Sequence, residues 1–296
     1  MKTKLIASTP ENIEAAAKVL EEGGIVAFPT ETVYGLGASA SATQKTINQI
    51  YSLKKRSLTK PLGIYLGSKE EALNYLPSKL LDIFQKLAMK FLPGPLTIVF
   101  PDKNTGISVA IRISNNPILS HLLHILKHPI LGTSANRSNL PSAVKPQEVL
   151  SDFPEGLHII LDGGSCSLGI ESTVISIDPL VILRQGVIPK ESLEEALATS
   201  IPIQASNSSN KSKESFGISI RVFDNFQDIH TYVNSQPPIP RKIYSNFLTK
   251  DYYSLIREAL TLQCKEVIFL YPKDPSSFFP PLSRKIHPDR FTTEAP

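Results

Sequence analysis

Apolar positions along the first two hundred residues follow two alternating rhythms. Residues Asn12 to Glu22 have helical spacing, with Ile13, Ala16, Ala17 and Leu20 sharing one face, and Gly23-Gly24 stops the run. The residues before it read as a strand, and Gly24 to Pro29 reads as a short buried strand. The same spacing predicts helices over Thr43–Leu53 and Ser78–Phe91, the latter ended by Pro93-Gly94-Pro95. Strands are expected at Leu62–Leu66, Leu96–Phe100, Val109–Ile113, Ile130–Thr133, Leu157–Leu161, Thr173–Ile177 and Val181–Arg184. A helix over Pro189–Ala198, with proline near its first turn, closes the region. Interleaved strands and helices argue for α/β layers and leave the strand order open.

Past Gln204 the rhythm breaks. The stretch ASNSSNKSKES is polar and nearly without apolar residues, so a flexible linker is expected over 204–217. Beyond it come a strand at Ile218–Phe223, a helix at Tyr252–Leu262 and a strand at Glu266–Tyr271, with a proline-rich tail from Pro272. The expected organisation is a catalytic domain over 1–203 and a small α/β domain over 218–296, near the lower size for an independent core.

Composition narrows the classes. The chain has 296 residues, 41% hydrophobic and 20% charged, and carries no apolar run near the ~20 residues of a membrane span. No signal-peptide pattern opens it, so a cytoplasmic location is expected. The net charge of +4 is spread over both halves, and neither is a polybasic nucleic-acid arm. Cys166 and Cys264 are far apart and outside any Cys-x-x-Cys pattern, so two buried thiols are expected. His121, His124 and His128 fall near one helical face, but no acid or cysteine completes a ligand set, and no metal site is expected.

Four segments place polar residues where strands should end, which is where ligands collect in open α/β folds. Pro29-Thr30-Glu31-Thr32-Val33-Tyr34-Gly35-Leu36-Gly37 follows an apolar strand and reads either as a ligand loop or as a capped connection. Lys54-Lys55-Arg56, with Lys60 shortly after, reads either as a phosphate-binding cluster or as a solvated helix end. Gly132-Thr133-Ser134-Ala135-Asn136-Arg137-Ser138 offers small hydroxyl and amide groups suited to phosphates or ribose, or forms a plain turn. The loop from Asp162 to Thr173 is glycine-rich, yet lacks the Gly-Lys-Ser/Thr of a Walker A motif and the Rossmann glycine fingerprint. Arg112 and Arg184 sit on otherwise apolar strands, where a buried guanidinium needs an anionic partner. No Gly-x-Ser-x-Gly elbow or Cys/His pair marks a nucleophile, so the expected chemistry is substrate positioning and charge stabilisation.

Read in order, PTETVYGLG, KKR with KPL, LPGPLTIVF, VAIRI, TSANRS, GIESTVISI and ILRQGVIP resemble the YrdC/Sua5 family of threonylcarbamoyl-AMP synthases, from Gly24 to Ile188. The resemblance implies a YrdC-like twisted mixed sheet flanked by helices, with a concave basic active-site face and a small Rossmann-like C-terminal domain. It implies a nucleotidyltransferase reaction that joins L-threonine, bicarbonate and ATP into threonylcarbamoyl-adenylate, with Mg²⁺ on the phosphates. That is the first step toward N6-threonylcarbamoyladenosine in tRNA.

By position, Lys54, Arg56, Ser134 and Asn136 fall on the family's catalytic set. Arg56, Lys60, Ser108, Ser134, Ser142 and Arg184 fall at ATP-contacting positions. Thr32, Tyr34, Tyr65, Arg112 and Ser172 fall at the threonine site. The family implies hand-off to a Kae1/TsaD-type transferase, with tRNA engaged only indirectly and no membrane partner. This chain departs from the pattern at Tyr65, where many members carry histidine, and at Lys60, where asparagine or a similar polar residue is common. The Ser-Pro-Gly-Met segment of long members is missing from the linker. An RNA-binding module without synthase activity and a carbamoyl-transfer relative are the alternatives.

Overall fold

The computed structural model describes residues 1–204, 219–223, 241–244 and 251–270. Residues 205–217 of the linker expected over 204–217, and the tail from Pro272, lie outside the described residues. The chain divides into two compact units, Met1–Gln204 and Ala205–Pro296.

In the first unit the chain runs β1 (Lys4–Ala7), α1 (Pro10–Glu21), β2 (Val26–Phe28), β3 (Gly35–Ser39), α2 (Gln44–Lys54), β4 (Gly63–Tyr65) and α3 (Lys69–Ala72). A 3-10 turn (Ser78–Leu80) leads into α4 (Leu81–Phe91), followed by β5 (Leu96–Pro101), β6 (Ser108–Arg112), α5 (Pro117–Leu126) and β7 (Ile130–Ser134). The unit ends with α6 (Pro146–Asp152), β8 (Ile159–Asp162), β9 (Thr173–Ile177), β10 (Leu180–Arg184) and α7 (Lys190–Leu197). The expected helices and strands are all present there, with small shifts at their ends.

Two elements that position the site have no clear pattern in the sequence. β3 reads GLGAS, which shows neither alternation nor β-branched residues, because every position is buried and tightly packed. An added Cβ at Gly37 would lie 2.5 Å from the Leu131 carbonyl and 2.6 Å from the Ile130 side chain. α6 is a short helix of 7 residues that begins at a proline, and its Glu148 carboxylate accepts from the Val144 and Lys145 amides.

All ten strands form one mixed sheet in the order β1-β8-β2-β3-β7-β4-β6-β5-β9-β10. Two apolar clusters lie on its opposite faces. α1 and α5 bury Ile13, Leu20, Leu119 and Leu122 against Phe28 and Ile130. α4 and α7 bury Phe84, Leu87 and Leu193 against Ile98, Ile111 and Ile175. Strand alternation then assigns faces: Ile64 joins the α4–α7 cluster, and its neighbour Tyr65 packs with the α1–α5 cluster.

Register carries Tyr65 across to Arg112, Arg112 to Thr97, Thr97 to Val174, and Val174 to Arg184. One row of side chains therefore crosses β4, β6, β5, β9 and β10 on a single face. Thr97, Val99 and Val174 on that face are only partly buried, so the row is left open for polar chemistry.

In the second unit the described strands β11 (Ser219–Phe223), β12 (Arg241–Tyr244) and β13 (Glu266–Leu270) form a parallel sheet in the order β11-β13-β12. α8 (Tyr252–Thr261) precedes β13 and stacks Tyr252 on Phe269 at 5.1 Å. β12 was not expected from the sequence; its four residues, RKIY, are too few to show a period. Among the described residues no helix is long and apolar enough to cross a membrane.

Gly37→Ala should force β3 away from β7, costing about 1–3 kcal/mol of stability by overpacking. A lowered midpoint in urea unfolding, with an unchanged slope, is the expected result.

Candidate active site

β2, β7 and β8 run in one direction, while β4, β6 and β10 run in the other. The loops after β2 and β7 thus lie at one edge of the sheet, and Tyr65, Arg112 and Arg184 lie at the opposite edge in the other half. On a flat sheet they would be far apart. Strand twist of about 20–25° per neighbour, accumulated across the sheet, turns diagonally opposed corners over the same face. The contacts are direct: Arg112 meets the Pro29–Tyr34 loop, and Ser142 meets Glu171.

Arg112 forms a buried ion pair with Glu31, the side chains being 6% and 4% exposed. Its Nη2 donates to Glu31 Oε1 and also to Thr32 Oγ1 at 3.3 Å. Ser114 Oγ donates to the second Glu31 oxygen. Arg112 Nε is buried and lacks a hydrogen-bond partner among the described residues. Burial lowers the Arg112 pKa, and the Glu31 charge opposes that shift. Thr32 is fixed in turn by Thr30, whose hydroxyl lies 2.9 Å from its own.

Tyr65 stands beside Arg112 and edge-on to Phe28, with ring centroids 5.2 Å apart. Its pKa is raised by burial, with Arg112 pulling the other way and Glu31 adding to the rise. Tyr34 is fully buried and binds the glycine loop, its hydroxyl donating to Gly164 O at 2.8 Å and accepting from Gly163 N at 3.1 Å.

A second arginine unit repeats the first. Arg184 Nη1 donates to Glu171 Oε2, and Ser142 Oγ donates to Glu171 Oε1 at 2.6 Å. Ser172 clamps the rest of that guanidinium: its carbonyl accepts from Nε at 3.1 Å and Nη2 at 3.0 Å, and its hydroxyl from Nη2 at 3.1 Å. Ser172 Oγ also lies 2.8 Å from Thr97 Oγ1. Gly186 permits this: a Cβ there would lie 2.2 Å from Thr173 N and 2.5 Å from Glu171 O.

The loop after β7 is held by its own polar groups. Ser134 Oγ donates to Asn136 Oδ1 at 2.6 Å, and Asn136 Nδ2 donates to Leu140 O at 2.7 Å. The Lys54 ammonium is turned inward, 2% exposed, and donates to the Ser134 and Asn136 carbonyls. It ties the end of α2 to that loop. Lys55 takes the left-handed conformation that ends α2, φ 50°, and so turns Arg56 outward. Arg56 is half-buried and bonds Lys60 O at 3.1 Å and Pro61 O at 3.0 Å, which closes the turn leading to β4. Desolvation lowers its pKa, and Tyr51 and Glu171 resist the shift.

Thr32, Tyr65, Arg112, Ser172 and Arg184 are thus gathered on one face, with Ser142 linked to them through Glu171. Ser134, Asn136 and Lys54 form a bonded group, and Arg56 shares a turn with the exposed Lys60. Ser108 is not joined to the arginine row: it is exposed at the start of β6, about 13 Å along the strand from Arg112. Sequence reasoning missed Glu31, Ser114, Glu171 and Thr97. Glu31 and Glu171 stood inside quoted motifs, but only a spatial partner distinguishes a buried acid from a surface one. His121, His124 and His128 are exposed. Cys166 is buried in the glycine loop, and burial pushes its thiol up to about 12.

Residues 18–186 match the protein family described as Telomere recombination, Sua5_yciO_yrdC. A protein of Pyrococcus abyssi named threonylcarbamoyl-AMP synthase is 38% identical over 195 residues, which cover 62% of this chain and 57% of that one. A Bacillus subtilis protein of the same name is 36% identical, over 66% of this chain and 59% of its own. The chain therefore spans little more than half the length of these curated relatives. Among solved structures, a doubly substituted Sua5 of P. abyssi superimposes with a TM-score of 0.79 at 26% identity, covering 93% of both chains. The P. abyssi Sua5 complex with L-threonine shares the fold, with a TM-score of 0.77 at 24% identity over 91% of both chains.

Removing one partner of a buried ion pair strands the other charge. Glu31→Gln should therefore cost about 3 kcal/mol and lower the melting temperature by roughly 6–12 °C; a shift under about 2 °C would show that the pair does not hold the site together. The folded protein keeps the Cys166 proton beyond its ordinary pKa of 9.0. Stability from the neutral thiol is thus complete below pH 9 and is lost as pH rises toward 12. Between pH 8 and 10.5 wild type should lose about 2 kcal/mol more than Cys166→Ala in urea unfolding.

Proposed function

The chain belongs to the Sua5/YciO/YrdC family, and we propose that it is a threonylcarbamoyl-AMP synthase. It joins L-threonine, bicarbonate and ATP into threonylcarbamoyl-adenylate and releases pyrophosphate and water. The observation that carries this reading is the Tyr65–Arg112–Thr97–Arg184 row. It sets Arg112 and Arg184 on one face of the sheet, which supports reading the first as the amino-acid carboxylate site and the second as the phosphate site.

Arg112 supplies the first site. Its buried, unpartnered Nε is suited to a threonine carboxylate, and Glu31 holds the guanidinium in place. Thr32, Tyr65 and Ser172 surround that position and offer hydroxyl groups to the substrate. Arg184, Ser142, Arg56, Lys60 and the Ser134–Asn136 loop supply the second site, for the nucleotide, and Ser108 is assigned to the nucleotide side. Together these groups form a concave basic face.

The reaction needs charge control more than a nucleophile. The threonine amine combines with bicarbonate and loses water to give a carbamate. A carbamate oxygen then attacks the α-phosphorus, and the bond to the bridging oxygen breaks, so that pyrophosphate leaves with the electron pair. Three anionic groups must be brought together, and fixed guanidinium and N–H donors offset their repulsion. The row keeps the groups assigned to the two reacting halves on one face of the sheet, with β5 and β9 between them, and holding both reactants on a fixed face favours the attack geometry.

Glu31 and Glu171 are each engaged by an arginine and a serine, and no cluster of three or more metal-ligating side chains occurs among the described residues. Mg²⁺ is read as arriving on ATP, as part of that substrate. The second unit is read as a small Rossmann-like domain, the setting as cytoplasmic, and the acceptor of the adenylate as a Kae1/TsaD-type transferase acting on tRNA.

Incubation with ATP, Mg²⁺ and bicarbonate should release pyrophosphate only when L-threonine is added, with an AMP adduct of matching mass. No release from the folded protein under any condition would remove the synthase reading and favour an RNA-binding relative.

A further inference from the structure

The two arginine units share one pattern and differ in burial. In each, one glutamate oxygen accepts from an arginine and the other from a serine hydroxyl: Arg112 and Ser114 on Glu31, Arg184 and Ser142 on Glu171. The Glu31 pair is sealed, with side chains 6% and 4% exposed, so its carboxylate cannot leave without stranding a buried charge. The Glu171 pair is open, Arg184 being 37% and Glu171 20% exposed, so water can replace either partner.

Arg184 also does not need Glu171 to keep its orientation. Three contacts to the carbonyl and hydroxyl of Ser172 already fix Nε and Nη2, and Glu171 holds only Nη1. Two oxygens taking a guanidinium N–H and a serine O–H is also the way a phosphate is held. Arg56 feels the same carboxylate, and Glu171 opposes the lowering of its pKa. A negative charge at this point therefore sits among the groups assigned above to the nucleotide.

We propose that the Glu171 carboxylate is a built-in stand-in for phosphate, holding the Ser142–Arg184 seat until a nucleotide phosphate displaces it. The carboxylate keeps Arg184 and Ser142 placed between turnovers and competes with the incoming anion. The inference rests on the nucleotide-site reading above, and it assigns to Glu171 a role opposite to that of Glu31. If the carboxylate holds the seat about 90% of the time, its removal raises apparent phosphate affinity roughly tenfold.

The test titrates the full chain and Glu171→Gln with a Mg²⁺-bound α,β-methylene ATP analogue and with pyrophosphate, by calorimetry, and separately with L-threonine. Glu171→Gln should bind both phosphate ligands about 5- to 10-fold more tightly, with threonine affinity unchanged. Equal or weaker binding of the phosphate ligands would overturn the proposal and make Glu171 a permanent clamp. If Glu171→Gln does not fold, Glu171→Asp keeps the charge but withdraws it by one methylene. Tighter binding then supports displacement, and equal or weaker binding overturns it. Wild type that binds the analogue but releases no pyrophosphate with threonine would sink the synthase reading alone.

Discussion

At the meeting point of the two halves of the sheet, a guanidinium and a carboxylate lie out of water. Arg112 comes from β6, Glu31 from the loop after β2, and Ser114 closes the second carboxylate oxygen. Such a pair survives burial only when both charges find partners, since desolvation of either alone costs several kcal/mol. Its presence pins the Pro29–Tyr34 loop to the opposite half of the sheet. The rest of the site follows from that connection. The Glu31 carbonyl accepts from Leu168 N at 2.8 Å, which draws in the glycine loop, and Tyr34 is locked to Gly163 and Gly164 below it.

This arrangement accounts for two carboxylates in a site that we propose takes anions. Uncompensated arginines packed against one another would repel and would each carry a desolvation cost. Glutamates relieve both effects while leaving a donor, Arg112 Nε, without a hydrogen-bond partner among the described residues. Lys54 illustrates the same economy. As the last residue of α2 its charge is spent on two backbone carbonyls of the next loop, so its contribution is to hold Ser134 and Asn136 in place. Arg56, two residues further on, is the more exposed of the two cations.

The supporting layers are arranged so that this face stays open. α1 and α5 cover one half of one side of the sheet, and α4 and α7 cover the other side. The face over β6, β5, β9 and β10 is where alternation sets Arg112 and Thr97 apart from Ile111 and Ile98 on the buried side, and where a register shift between Ile182 and Arg184 separates that pair on β10. On β6 and β5 a single strand period thus separates the core from the polar face. Gly186 and Gly37 allow the backbones beneath to approach more closely than any side chain would permit.

Local pattern in the sequence was enough for α1, α2, α4, α7, α8 and most strands, though not for α3, α5 or α6, because apolar periodicity is set by residues within one or two turns of each other. It was enough also to mark the four polar segments, and their order along the chain carried the family resemblance. It did not reveal β3, whose buried GLGAS has no period, nor the acids that matter: Glu31 and Glu171 look like any other glutamate in the chain. Ion pairing depends on distance through space, and Glu31 and Arg112 are 81 positions apart. Which corners of the sheet meet was decided by strand order and accumulated twist, properties of ten strands together that no single segment encodes. The sequence by itself determined which residue types were available at the strand ends, and the tertiary structure decided which were paired, which were sealed and which were left partly exposed.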